Sequence, residues 1–180
     1  RNGFVISGID EDDNSGAAVS SAGDINGDGI DDLIIGAPVA NLLGGEGYVV
    51  FGSSEGFDAR LQLSTLDGSN GFVITTDLGG FFSYSIGDAV SSAGDINGDG
   101  IDDLIIGAPR ADSDENGEAG ESYVVFGSSS GFDASLDLSA LDGSNGFVIN
   151  GIDSDDFSGS AVSSAGDING DGIDDLIVGA

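Results

Sequence analysis

The chain contains no cysteine, histidine, methionine or tryptophan, and only three of its 180 residues are basic. Without Cys there is no disulfide staple and no thiol nucleophile, and without His there is no imidazole-based triad; the nitrogen and sulfur ligands that zinc favours are missing altogether. Arg1, Arg60 and Arg110 stand against 33 Asp and Glu, giving a formal net charge of -30. A surface of that sign repels polyanions, so nucleic acid is excluded as a partner. Apolar runs reach about five residues, far short of the roughly 20 that a membrane helix needs, and the N-terminus lacks the layout of a signal peptide. The expectation is a soluble segment with no membrane insertion. Disorder is not expected despite the charge, because 39% of the residues are hydrophobic and gather in runs such as Leu33-Ile34-Ile35 and Tyr48-Val49-Val50-Phe51.

What the chain does have is repetition. The nonapeptide DINGDGIDD stands at Asp24 to Asp32, Asp95 to Asp103 and Asp167 to Asp175, spaced by 71 and 72 residues. YVVFGSS recurs from Tyr48 and Tyr123, and NGFVI from Asn2, Asn70 and Asn145. The periods divide as 1–69, 70–144 and a partial third, 145–180. One period holds four apolar segments, Ala18 to Ser21, Leu33 to Ala37, Tyr48 to Gly52 and Phe72 to Thr75, separated by Gly, Asp, Asn and Ser. That is the pattern of four antiparallel strands with turns, and no segment carries a sustained helical period. The predicted fold is all-β: four-stranded blades of a β-propeller, about two and a half in this chain, with neighbouring repeats of the same or another chain as packing partners. Ala180 stops where the earlier copies continue into Pro38 and Pro109, so a slice of a longer array is expected. Stacking without closure, as an extracellular structural filament, is the competing architecture.

Within DINGDGIDD the oxygen-bearing side chains occupy positions 1, 3, 5 and 9: Asp24, Asn26, Asp28 and Asp32; Asp95, Asn97, Asp99 and Asp103; Asp167, Asn169, Asp171 and Asp175. The position-7 carbonyls of Ile30, Ile101 and Ile173 add an oxygen, and the Gly at position 6 permits a sharp turn. Calcium takes six to eight oxygens, so a loop that aims alternate residues at one point suits it better than magnesium does. The start resembles an EF-hand loop, but Ile35, Ile106 and Val178 stand where that motif needs a bidentate Glu. An isolated acidic, Gly-rich turn is ordinarily just solvated. Three copies with identical ligand spacing argue instead for Ca2+, about one per repeat and three in the chain. Asp31, Asp102 and Asp174, lying between ligand positions, read as solvent-facing charges.

With its calcium loop and following Gly-Ala-Pro, GDINGDGIDDLIIGAP resembles the FG-GAP repeat of integrin α-subunit β-propellers. The resemblance covers the chain in three copies and implies that each loop joins the first two strands of a blade. The Phe-Gly that names the repeat is replaced by Asn14-Ser15-Gly16, by Phe81-Phe82-Ser83-Tyr84 and by Phe157-Ser158-Gly159. Near-identity of the units is similar to large tandem-repeat surface proteins of bacteria. The resemblance implies a non-enzymatic, extracellular or cell-surface adhesion protein whose ligand is a protein or glycan, with calcium rigidifying each blade; an accessory region of a secreted enzyme is the alternative. Three weaker signals remain. Asp112 to Gly117 opens like a calcium loop in one unit only, Asp10, Asp12 and Asp13 are echoed by Asp153, Asp155 and Asp156, and Leu78 to Phe82 puts two aromatics in a loop; a solvated hairpin, an acidic turn and packing over a blade edge are their ordinary readings.

Overall fold

The computed structural model describes residues 3–41, 44–76, 85–111 and 118–180. Arg1, Asn2, the aromatic stretch within 78–84 and the acidic turn 112–117 lie outside the described residues. The branched apolar strings become strands: β1 (Val5–Ser7), β2 (Ala18–Gly23), β3 (Asp32–Ala37), β4 (Glu46–Val50), β5 (Arg60–Gln62), β6 (Gly71–Thr75), β7 (Ala89–Gly94), β8 (Asp103–Ala108), β9 (Glu121–Val125), β10 (Ser135–Asp137), β11 (Gly146–Asn150), β12 (Ala161–Gly166) and β13 (Asp175–Gly179). Short 3-10 turns, at Leu63–Thr65 and Leu138–Ala140, precede two of them. No helix among the described residues is long and apolar enough to cross a membrane.

The four segments expected in each period are antiparallel neighbours in one sheet. In the first sheet β2, β3, β4 and β6 align Val19 with Ile35, Ile35 with Tyr48, and Tyr48 with Val73. In the second, β7, β8, β9 and β11 align Val90, Ile106, Tyr123 and Val148 in the same way. The third contains β12 and β13. The first strand β7 packs between β2 and β12, the arrangement of partial β-propeller blades about an axis. Each complete sheet closes on the NGFVI string, so the first, spanning 18–75, straddles the sequence periods 1–69 and 70–144.

A fifth strand was not apparent from the apolar pattern. β10 comes from the second unit and pairs in parallel with the outer edge of the first sheet, Leu136 opposite Ile74. β5 does the same to β1, and Arg60 Nη1 donates to Ser7 Oγ across that pair at 2.9 Å. β10 thereby covers the outer edge of the first sheet, and β5 an edge of β1, edges that would otherwise carry unpaired backbone groups.

Strand alternation sends neighbouring residues to opposite faces. Ile34, Val49 and Phe72 join Leu104, Ile106 and Val125 between the first and second sheets. Ile35, Tyr48 and Val50 face the other way, onto Leu63 and Leu66. Ile105 and Val124 meet Val162, Leu176 and Val178 of the third sheet. Sheets covered on both faces explain why β8 is buried throughout. Each fully buried Ile or Leu contributes about 1.5–3 kcal/mol.

Candidate metal centre

All three loops leave their first strand through a register shift: between Ser21 and Gly23, Ser92 and Gly94, and Ser164 and Gly166. The chain then folds back onto its position-1 carboxylate. Asp24 Oδ1 accepts the N–H of Asp28 at 2.9 Å and Oδ2 that of Gly29 at 2.8 Å. Asn26 Oδ1 accepts the same Asp28 N–H at 2.9 Å, and Asp28 Oδ1 accepts from Ile30 at 2.9 Å. Gly29 has a φ of 87°, where only glycine is free of strain, as the sharp turn required.

The other loops repeat this network. Asp99 N–H is shared by Asp95 Oδ1 at 3.0 Å and Asn97 Oδ1 at 2.9 Å, and Asp171 N–H by Asp167 Oδ1 at 3.1 Å and Asn169 Oδ1 at 2.9 Å. Ile101 and Ile173 are tied to the position-5 carboxylates at 2.9 and 3.0 Å. Because two side-chain oxygens share one N–H, positions 1 and 3 converge in every copy. The exposed Asp167 carboxyl is held below its ordinary value, mainly by the Gly172 N–H.

Position 9 closes the loop from the following strand. Asp32 is buried; its Oδ2 accepts from Ile25 N–H at 3.1 Å and its Oδ1 from Gly52 N–H at 2.7 Å. Asp103, also buried, does the same with Ile96 at 3.0 Å and Gly127 at 2.8 Å. Asp175 accepts from Ile168 at 2.9 Å. The Asn97 and Asn169 amides reach Asp103 and Asp175 at 3.5 and 3.3 Å, so positions 3 and 9 meet as well. Burial pushes the Asp32 carboxyl up to about 6; the Gly52 N–H opposes this, and the charges of Asp28 and Asp24 add to it. Asp103 is raised to about 6 by burial in the same way, against the Gly127 and Ile96 N–H groups.

The donor set fits a hard cation: carboxylate, amide and main-chain oxygens, with no nitrogen or sulfur ligand in the chain. Each carboxylate has about four lone-pair sites, so the two N–H bonds on Asp32 and the three on Asp103 leave capacity on both. Among the described residues no three acidic side chains are gathered closely enough to hold a metal ion by themselves. A cation here therefore needs the Asn and carbonyl oxygens in addition to the carboxylates.

Asp102 and Asp174 are not solvent-facing charges. Asp102 Oδ2 accepts the N–H of Asp24 at 2.8 Å, and Asp174 Oδ2 that of Asp95 at 3.1 Å. Asp31 alone of the three is exposed. The partner of Asp102 lies 78 positions earlier, in the preceding unit, so a reading of one unit by itself could not find it. Ser128 N–H likewise donates to the carbonyl of Ile25 at 2.9 Å. The turns at Asp10–Asp13 and Asp153–Asp156 close through their own side chains: Asp13 accepts from Asp10 N–H at 3.3 Å and Asp156 from Asp153 N–H at 3.2 Å.

Comparison with known proteins agrees with this architecture. Integrin alpha-4 of Xenopus laevis is 30% identical over 166 residues, covering 92% of this chain and 14% of its own length. Phosphatidylinositol-glycan-specific phospholipase D of Bos taurus is 33% identical over 169 residues, 92% of this chain and 18% of its own. Integrin alpha-5 of Xenopus laevis is 31% identical over 161 residues, 89% and 14% respectively. The chain thus spans less than a fifth of the length of these relatives. The FG-GAP repeat matches at residues 15–51, 87–125 and 158–180, together more than half of the chain and enclosing all three loops. Two complete sheets and the opening strands of a third, each built around the same nine-residue turn and matched in this way, place the chain in the FG-GAP repeat family.

Proposed function

We propose that the chain is a calcium-binding, non-enzymatic propeller segment of an extracellular or cell-surface adhesion protein, each blade rigidified by one ion. The observation that carries the reading is the shared N–H of Asp28, Asp99 and Asp171, which draws the oxygens of positions 1 and 3 together identically in three loops. Asp24, Asn26, Asp28, the Ile30 carbonyl and Asp32 would hold the first ion, and their counterparts the other two. When bound, calcium supplies positive charge among carboxylates that otherwise repel one another in a chain of net charge -30. The loop residues fold onto a point that is electrostatically costly when empty, so metal binding contributes to folding free energy.

The integrin names support adhesion, with neighbouring repeats and a protein or glycan ligand as partners. The similarity to a phospholipase D favours a second reading, an accessory propeller of a secreted enzyme. Under either reading the repeated acids serve metal and not catalysis. The test is a calcium titration by calorimetry together with thermal unfolding in calcium and in chelator. Saturation near three ions with a large loss of stability in chelator is expected; absent binding, or stability indifferent to chelation, overturns the metal reading. Hydrolysis of glycosylphosphatidylinositol by the chain alone would overturn its non-enzymatic character.

A further inference from the structure

In both described junctions between one loop and the next unit, the residue at position 8 reaches the first residue of the preceding loop. Asp102 sits between Ile101 and Asp103 of the second loop, and its carboxylate accepts the N–H of Asp24, the first residue of the first loop. Asp174 sits between Ile173 and Asp175 and accepts the N–H of Asp95; its own N–H donates back to the Asp95 carbonyl at 3.3 Å. The fit is close. A Cβ on Gly23 would lie 2.3 Å from Asp102 Oδ2, and one on Gly94 would lie 2.0 Å from Asp174 Oδ2. The strand ends preceding the loops are therefore bare where the next unit's carboxylate arrives. The second contact, Ser128 N–H to the Ile25 carbonyl, grips the next residue of the first loop from the same unit.

From this geometry we infer that Asp102 and Asp174 are positioning residues that wire the loops in series, so that calcium in one loop raises the affinity of the loop before it. The inference rests on the calcium reading above. Ile101 and Asp103, when held by a cation, fix the backbone on both sides of Asp102. The Asp102 carboxylate is then presented to Asp24 N–H, and the first ligand of the preceding loop is ordered in advance. Part of the conformational cost of binding there is thereby already met. Linkage makes the effect reciprocal: an ion in the first loop favours occupancy of the second by the same factor.

The molecule supplies its own control, because Asp31 holds position 8 of the first loop, is exposed and caps no loop among the described residues. It also supplies separate reporters. The amides of Gly29, Gly100 and Gly172 each donate to their own loop's position-1 carboxylate, at 2.8, 2.8 and 2.9 Å. Their resonances can be followed one by one while calcium chloride is titrated into the 180-residue chain.

Replacing Asp102→Ala is expected to raise the calcium midpoint at Gly29 about fivefold or more, the low end of ordinary coupling, with Gly172 unmoved. Asp174→Ala should do the same to Gly100, and Asp31→Ala should move none of the three. Asp102→Asn, whose amide oxygen still accepts an N–H, should restore most of the Gly29 response. Silencing the second loop with Asp99→Ala leaves the capping carboxylate in place and should also weaken the first loop, which keeps the idea testable if Asp102→Ala fails to fold. A Gly29 midpoint unchanged in Asp102→Ala or in Asp99→Ala, while the wild-type chain binds, overturns the coupling alone. A wild-type chain whose three glycines ignore calcium overturns the coupling together with the reading beneath it.

Discussion

The carbonyl oxygen of Gly87 lies 1.9 Å from the point where a side chain on Gly36 would begin. Gly36 is the glycine of Gly-Ala-Pro at the end of β3, and Gly87 belongs to the turn that opens the next sheet, so two backbones meet where no Cβ fits. Gly107 and Gly159 repeat the contact at 2.0 Å. The third copy, Gly179, has Ala161 Cβ as its nearest neighbour, at 3.4 Å. Gly36→Ala and Gly107→Ala should each destabilise the fold by about 3 kcal/mol or more through overpacking. Gly179→Ala should be neutral or stabilising by about 0.5–1 kcal/mol, since Ala loses less backbone entropy on folding. Urea unfolding of the three variants checks this; equal effects at all three positions would mean that the glycines serve the strand and not the contact.

Two acids of the second loop should separate structural from ligand duty. Asp103 is buried, and both of its oxygens take backbone N–H groups. Asp99 is exposed and takes one, that of Ile101. Asp103→Ala leaves two donors without partners and should cost about 2–4 kcal/mol already in chelator, and more in calcium because a ligand is lost as well. Asp99→Ala should cost less than about 1 kcal/mol in chelator but remove the stability that calcium adds at this loop. Melting curves in the two conditions decide; an Asp103→Ala effect confined to calcium would contradict the structural role.

Metal-free stability should fall as the pH rises from about 4 to 6. Asp32 and Asp103 have folded values near 6 against an ordinary 3.8, so in that window the folded chain binds more protons than the unfolded one. Their neutral forms are favoured by burial, and the advantage disappears once they ionise. Asp67 and Asp142 act oppositely. Ser69 and Ser144 donate to them and hold them below the ordinary value, so their contribution is lost only at still lower pH. Denaturant titration in chelator across this range checks the slope, and Asp32→Asn with Asp103→Asn should flatten it. A profile that rises between pH 4 and 6 would be inconsistent with burial as the dominant influence on these two carboxyls.

What was legible in advance follows from how local each feature is. Ala18 to Ser21, Leu33 to Ala37, Tyr48 to Gly52 and Phe72 to Thr75 became β2, β3, β4 and β6, because branched apolar residues alternating across a two-sided core leave few other conformations. The approach of the Asp24 and Asn26 side-chain oxygens to one N–H was legible too, since short-range turns close within a few residues. β5 and β10 escaped notice: Arg60-Leu61-Gln62 and Ser135-Leu136-Asp137 hold one apolar residue each and become strands only because a neighbouring unit offers an edge. The role of Asp102 was hidden for the same reason. Repetition in a sequence reveals the unit readily, whereas the contacts that join units pair residues a whole period apart.

The ring of Phe132 joins two sheets, reaching from the segment after β9 of the second onto β6 of the first. It stacks on Phe72 of β6 with centroids 4.3 Å apart and planes 14° from parallel, and Phe51 lies 6.2 Å from it. Phe57 does the same to Phe4 one unit earlier, also at 4.3 Å, so the Gly-Phe-Asp segment after each third strand plants an aromatic on the preceding fourth strand. Phe147 occupies the corresponding place on β11 and is 37% exposed. Stacked pairs contribute about 0.5–1.5 kcal/mol beyond the area they bury. Phe132→Leu and Phe72→Leu should therefore each destabilise the chain, and together by less than the sum of the two, with a coupling of about 0.5–1.5 kcal/mol in a double-mutant cycle. Phe147→Leu should cost less than either, because among the described residues its ring has the edge contact of Phe126 and no stacked partner. Strict additivity of Phe72→Leu and Phe132→Leu would show that the units are held by strand pairing and the metal loops, with the aromatic pair only filling space between them.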